Sequence, residues 1–251
     1  MSKVRIGYDN HLENLQSYVM TSGTEDASNL FANCIDNNIY DWFGVTSTAG
    51  AIIDVTFASN VSASYVGLYR GVGITKVTIY YRSPDDTSWI EAGHKFTTGT
   101  QPIYFDFSKA SSSKWRFEFT ATTTITIADL RLGEYLTSEQ GVYIGYSSPY
   151  LSRRVDYKTN KSDSGLPVGR SIKSQGYRNT LNLEFMTDSW VRSDLLPFIK
   201  HAEQKPFYMV WNVSEYPDEV AYSVTDGNIA APRHSHAGLQ SVSIRMTGFV
   251  E

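Results

Sequence analysis

Between residues 43 and 136 apolar and polar residues alternate in short runs, which constrains this chain more than any other feature of its sequence. A period of two calls for strands, because successive side chains on an extended backbone point to opposite faces. Ile52–Phe57, Lys76–Tyr81, Ile103–Phe107 and Lys114–Phe119 all carry it. Turn-rich pieces separate them at Ser83–Ser88, Thr97–Thr100 and Ser108–Ser113, the spacing expected of an antiparallel sandwich or barrel. No long helical period interrupts the region. With 14% aromatic residues, led by 17 Tyr, the composition suits half-buried pleated surfaces better than helix bundles. The expected fold class is mainly β.

Past Gly133 the texture changes. Six of the eight prolines lie beyond residue 140, and Ser162–Pro167 reads as an exposed loop. Divided at residue 140, the chain holds 10 Lys and Arg against 15 Asp and Glu before the division (−5), and 12 against 11 after it (+1). The boundary is placed within 137–142, giving a first domain over 1–138 and a second over 139–251. The second is expected to hold strands around 142–147, 169–174, 178–186, 206–213, 219–225 and 239–250. One helix is predicted near 189–203, on the apolar set Trp190, Val191, Leu195, Phe198, Ile199 and Ala202. Thr187, Asp188 and Ser193 are candidate N-caps. Pro197 interrupts that helix, so it begins near Ser193 or bends.

A net charge of −4 and a pI near 5.8 give no chain-wide attraction to nucleic acid or anionic lipid. Neither nucleic acid nor membrane insertion is expected among its partners. The single cysteine, Cys34, forbids an intrachain disulfide and a multi-Cys zinc site, and suits folding in a reducing cytoplasm. No apolar stretch of signal-peptide or membrane-span length occurs. The expectation is a soluble protein that leaves its cell by another route, such as lysis.

From Ala27 to Glu134 the order of motifs resembles the discoidin, or coagulation factor 5/8 type C, fold. The run Ala32–Trp42, with Asn33, Asp36 and Trp42, looks like the family's opening motif. Tyr80–Trp89 is similar to its strand, turn and tryptophan, Trp115–Phe117 to its aromatic-Arg strand, and Ile127–Gly133 to its last strand. The resemblance implies an antiparallel jelly-roll sandwich with Trp42, Trp89 and Phe117 buried. It also implies a structural calcium, for which Asp36, Asp41 and Asp129 are the matching carboxylates. Asn37 stands where the family usually has Gly, and Asp129 where it has Glu. The residues alone support a second reading, in which Asp36 forms a turn without metal. The second part, with Phe185–Val213, Tyr222 and Val242–Phe249, looks like the small β-barrel-with-helix domains of tailed-phage minor tail and distal-tail (baseplate) proteins.

Catalytic signatures are sparse. Cys34, between Asn33 and Ile35, reads as a small packing residue. There is no Gly-x-Ser-x-Gly elbow, and Gly71-Val72-Gly73 lacks the third glycine and following helix of a dinucleotide loop. His234 and His236 stand two apart, a spacing that on a strand would set both imidazoles on one face for a transition metal; without an acidic or Cys cluster beside them they read as an exposed polar loop. No catalytic residue is assigned and the chain is not expected to be an enzyme. For sugar binding, an aromatic face for the apolar side of a ring and a nearby polar group for its hydroxyls are the expected tools. Tyr40, Tyr69, Arg70 and Arg82 are the candidates; Tyr40 and Tyr69 read equally as packing against the end of the sandwich.

The leading expectation is a homo-oligomeric structural virion component of a tailed bacteriophage, made in the host cytoplasm and located in the tail. Its partners would be other phage tail proteins, copies of itself and a host-surface glycan. The rival is a free carbohydrate-binding lectin, or an accessory binding module of a glycan-active enzyme.

Overall fold

The alternation seen in the sequence becomes the inside and outside of one curved sheet. A computed structural model describes residues 3–47, 49–83, 88–97, 99, 101–142, 146–227, 229–236 and 238–249. The first sheet has seven strands: β2 (Ser17–Ser22), β3 (Phe43–Val45), β4 (Ala51–Tyr69), β5 (Val72–Arg82), β6 (Ile90–Phe96), β7 (Ile103–Ile127) and β8 (Asp129–Gly133). Its order is β2-β4-β7-β5-β6, with β3 added to β7 and β8 to β4, all antiparallel. In β4, Ala51, Ile53, Val55 and Phe57 face inward; in β7, Trp115, Phe117 and Phe119 do so. The outward partners Asp54 and Arg116 face each other in register and form a two-pronged ion pair at 2.6 and 2.8 Å.

Strands of 19 and 25 residues must bend to stay over one core. Register shifts between Thr56 and Val61 and between Ala63 and Tyr65 supply the bend. The curled sheet then covers one core running from Leu12 and Phe31 to Leu132. Ser108–Ser113, expected as a turn, lies inside β7, where Ser111 and Ser112 pair with Ser62 and Val61. A tertiary ladder has overridden local turn propensity there. Of the other two expected turns, residues 84–87 and residues 98 and 100 lie outside the described set.

The second sheet contains β1 (Lys3–Gly7), β9 (Tyr135–Gly141), β10 (Arg153–Lys161), β11 (Pro167–Thr187), β12 (Phe207–Val210), β13 (Val220–Thr225), β14 (Arg233–His236) and β15 (Leu239–Phe249). Their order is β10-β11-β15-β13-β12-β1-β9, with β14 added to β15. The boundary at 138/139 therefore does not follow the sheets. Lys3–Gly7 and Tyr135–Ser138, read from sequence with the first domain, are strands of the second sheet. β1 pairs with β9 on one side and on the other with Phe207–Val210, some two hundred residues away, a pairing that no local pattern reports. The strand expected at 142–147 lies partly on residues 143–145, outside the described set. The strands expected at 169–174 and 178–186 are one strand of 21 residues. His234 belongs to a strand, opposite Gln240, and not to a loop.

The helix runs from 188 to 202 in three pieces: Asp188–Trp190, a wider π turn at Val191–Leu195, and Leu196–Ala202. Thr187 caps it, its hydroxyl accepting from the Trp190 N–H at 3.3 Å. Pro197 has no N–H to continue an ordinary ladder. The wide turn absorbs the missing bond, with the Leu196 N–H reaching back to the Val191 carbonyl. Val191, Leu195, Phe198, Ile199 and Ala202 face the second core, as the periodicity predicts.

The two sheets share a third cluster, built on Tyr65, Tyr69, Tyr104, Tyr208 and Tyr222. Each sheet lays a tyrosine on the other's glycine. A Cβ on Gly67 would lie 2.6 Å from the Tyr208 ring, and one on Gly7 would lie 2.5 Å from the Tyr65 ring. Tyr69 and Tyr222 stack at 4.4 Å with an interplanar angle of 1°. Burial pushes the hydroxyls of Tyr65, Tyr104, Tyr208 and Tyr222 well above the usual phenol range.

Candidate functional site

The loop following the short helix Phe31–Cys34 is shaped by its own amide and carboxylate side chains. Asp36 accepts the Asn38 N–H at 2.8 Å, and the Asn38 side-chain carbonyl in turn accepts the Tyr40 N–H at 3.2 Å. The Asn38 side-chain amide donates to Asp41 at 2.8 Å. Asn37 takes a left-handed φ of +66°, which Asn tolerates better than most residues. Two anchors fasten this loop to the body. The Arg131 guanidinium donates to the Asn37 side-chain carbonyl at 2.8 Å, and the Asn37 amide donates to Glu13 at 3.0 Å.

Arg131 is fully buried and spends all five of its N–H donors. Two go to Asp129, at 2.9 and 3.3 Å, one to the Tyr8 carbonyl at 3.3 Å, one to the Pro206 carbonyl at 2.7 Å, and one to Asn37. Asp129, 1% exposed, also accepts from the Tyr208 hydroxyl at 2.7 Å. Burial opposes the charge on Arg131, but Asp129 beside it outweighs this and holds its pKa above the ordinary guanidinium value.

These contacts answer the calcium expectation. Asp36 and Asp41 are spent on the loop's own amides, and Asp129 faces a guanidinium and a phenol hydroxyl. No group of three or more His, Cys, Asp or Glu side chains gathers among the described residues. Asp36, Asp41 and Asp129 do not fit a hard cation, which needs six to eight oxygens at one point. The internal cation Arg131 sits against Asp129 and reaches the Asp36 loop through Asn37.

Because the loop is held from beneath, its apolar side chains are left outside. Tyr40 is 82% exposed and Trp42 is 46% exposed. Trp42 was expected in the core; Trp115, flanked by Phe107 and Tyr81, takes that place. Trp89 is half-buried, and of the three expected plugs Phe117 is fully buried. Ile39, Tyr40 and Trp42 line one side of a cleft of about 340 Å³, whose other lining residues are Arg70, Val72, Thr126 and Ala128. Arg70 sits in the turn between β4 and β5 at a left-handed φ of +51°, its guanidinium carbon 5.4 Å from the Tyr69 ring centre. Cys34 lies beneath the loop, fully buried, its thiol pushed up by burial and by Asp129.

Of the four sugar-binding candidates, the structure brings Tyr40 and Arg70 together. Tyr69 is fully buried against Tyr222 and Phe249 and presents no surface to a ligand. Arg82 lies elsewhere, stacked on Trp89 at 4.6 Å beside Arg116 at 4.3 Å. Trp42 and Val72, which sequence reasoning did not place in the site, complete its apolar wall.

No family model and no curated protein matches the chain. Solved structures do resemble it. The CBM32-1 and CBM32-2 domains of ZmpB from Clostridium perfringens, in complex with GalNAc, are 13% identical over 53% of this chain and 39% of that one, with a TM-score of 0.43. A Ruminococcus gnavus GH29 fucosidase in complex with fucose is 13% identical over 51% of this chain and 27% of its own, with a TM-score of 0.44. An F5/8 type C domain from Bacteroides fragilis is 15% identical over 47% of this chain and 89% of its own, with a TM-score of 0.40. The chain thus spans less than half the length of the first two, and the third bears the family name suggested by the motifs. The residues of the cleft, not these overlaps, carry the functional reading below.

Proposed function

We propose that this chain is a non-enzymatic glycan-binding protein whose site is the cleft of Tyr40, Trp42 and Arg70. One observation carries the reading: two exposed aromatic side chains and a guanidinium line one cleft beside a loop held by its own side-chain hydrogen bonds and by Arg131. Aromatic faces suit the apolar side of a sugar ring, and Arg70 offers forked donors to its hydroxyls or to a carboxylate. A volume of about 340 Å³ falls within the usual range for small-molecule sites, about 300–1,000 Å³. A loop already ordered loses little entropy on binding.

The test is titration of a glycan panel by tryptophan fluorescence and calorimetry on the intact chain. A hit should weaken about tenfold, or 1.4 kcal/mol, in Trp42→Ala and in Arg70→Ala, with melting temperature unchanged. Absence of any hit on a panel covering neutral, amino and acidic sugars overturns the reading.

A second reading concerns where this module works. As a structural component of a tailed-phage virion, it would present the cleft to a host-surface glycan while its second sheet contacts other tail proteins. What supports this is the order of strands and helix in the second part, and the edge hairpin of β10 with the start of β11, which carries exposed Tyr157 and Ile172. Mass spectrometry of purified particles of the encoding phage tests it. Absence of the chain from the particle leaves the lectin alternative.

A further inference from the structure

The longest strand of the second sheet changes surroundings at Tyr177. Beyond that residue β11 pairs with β15; before it, residues 167–176 pair with β10 alone. The outcome is a two-stranded arm, closed at its tip where Gly165 takes φ +81° and the Ser162 N–H donates to the Leu166 carbonyl at 2.8 Å. Along β10 every residue except Val155 is exposed.

The arm does not look like a solvated hairpin. Tyr157 is 50% exposed, Leu166 67%, Val168 70% and Ile172 59%. Tyr157 and Ile172 are register partners across the ribbon, and the Arg170 guanidinium lies over the Tyr157 ring at 4.5 Å. A two-stranded ribbon is marginal in water unless something packs on it. Its outer strand, β10, is the edge of the sheet, and an edge strand is a template for pairing with another chain.

Charge indicates what covers it. From Leu151 to Gly176 the arm holds six Lys and Arg against Asp156 and Asp163, a net of +4. The whole chain carries −4, so the remaining residues carry −4 minus +4, or −8. Arg154 meets Asp156 at 3.3 Å within the arm, whose net charge is nonetheless positive. Pairing of β10 with β10 of another copy would set like charges against each other. Arm against body sets opposite charges together, and the exposed apolar side chains can then leave water.

We propose that the arm docks onto the acidic body of a second copy of this chain, with Tyr157 and Ile172 as its apolar contacts and its Lys and Arg side chains as steering charges. Such an arm-to-body contact is heterologous and propagates from copy to copy, closing as a ring or growing as a filament. The proposal rests on the assembly reading, and the two fail separately: a monomer found in virions breaks the proposal alone, and a self-associating chain absent from virions breaks the assembly reading alone.

Sedimentation of the full chain at graded concentration and salt decides. The chain should sediment heavier than its 28.2 kDa monomer at low salt, and shift toward monomer as salt screens the charges. Tyr157→Asp/Ile172→Asp should weaken association at least tenfold, and Lys158→Glu/Lys173→Glu should do the same without touching an apolar residue. Near-ultraviolet circular dichroism checks that both variants keep the folded body. A monomer at high concentration and low salt overturns the proposal, as does association that neither variant alters. So does a wild type that stays monomeric while binding a mixed-sequence DNA duplex, which would make the arm a polyanion contact.

Discussion

The 36–42 loop and the arm between residues 153 and 177 both leave large apolar side chains in water, but they are held differently. The loop is tied down by Asp36, Asn38 and Asp41 within it and by Arg131 and Glu13 beneath it. From Arg154 to Gly176 the arm has its own ladder and a few side-chain bonds such as Arg154 to Asp156. Exposed aromatics on a braced loop form a ready surface for a small ligand, whose binding energy is too small to order a mobile one. Exposed apolar groups on an unbraced ribbon need a partner large enough to order them. The same surface signature thus carries two meanings, and what lies beneath the side chains distinguishes them.

The largest expected effect comes from cutting the brace. Arg131→Met leaves Asp129 buried without its cation and removes a bond from the Tyr8, Pro206 and Asn37 carbonyls. Loss of one partner of a buried pair costs about 3–5 kcal/mol. Urea unfolding should show it, and the cleft should lose its ligand as the loop loosens. If the variant keeps full stability, the loop is not braced as described.

A pH effect follows next in size. Burial holds the His201 pKa below the ordinary imidazole value, aided by the positive charge of Arg131, although the Pro206 carbonyl at 3.2 Å pulls the other way. Lys205 also opposes its protonation, and Glu13 favours it. The unfolded chain therefore takes up a proton near pH 6.5 that the native chain resists. Stability rises with pH up to about 6.5 and is lost as pH falls below it through the folded value. His201→Gln should flatten melting temperature against pH in that window, while the wild type slopes.

Smaller still is the response of the arm. Under high salt, amides of residues 155–172 should exchange within the fastest class. Those of the Leu181–Ile244 ladder should exchange only with global unfolding. Equal protection in both segments would erase the contrast between the two regions. The smallest expected effect is none: a chelator should leave the melting curve where it was, because Asp129 already faces a guanidinium. A drop in melting temperature would restore the cation reading.

Much of the first sheet was legible because period-two alternation reports which side chains share a face. Ile53 and Val55 share one face of that alternation, as do Phe117 and Phe119, and all four are buried; the Asp36–Asn38 turn follows from what short amide and carboxylate side chains do to their own backbone. The helix with its Thr187 cap was equally local. Alternation cannot say whether a given face meets a core, another sheet or water. Tyr69 was offered to a ligand and Trp42 to the core, and the structure exchanged them, since the second sheet covers Tyr69 while the braced loop holds Trp42 outside.

The sequence alone determined that these segments extend with one apolar face, and that Tyr40 and Arg70 would stand at loop edges. Tertiary structure decided everything that depends on partners far apart in the chain. The pairing of Lys3–Gly7 with Phe207–Val210, the junction of Arg131 with Pro206, and the isolation of the arm all belong to it. The physical reason is range. Turn chemistry and side-chain alternation act over a few residues, whereas charge neutralisation, ring stacking and ladder pairing between distant segments exist only once the two sheets have met.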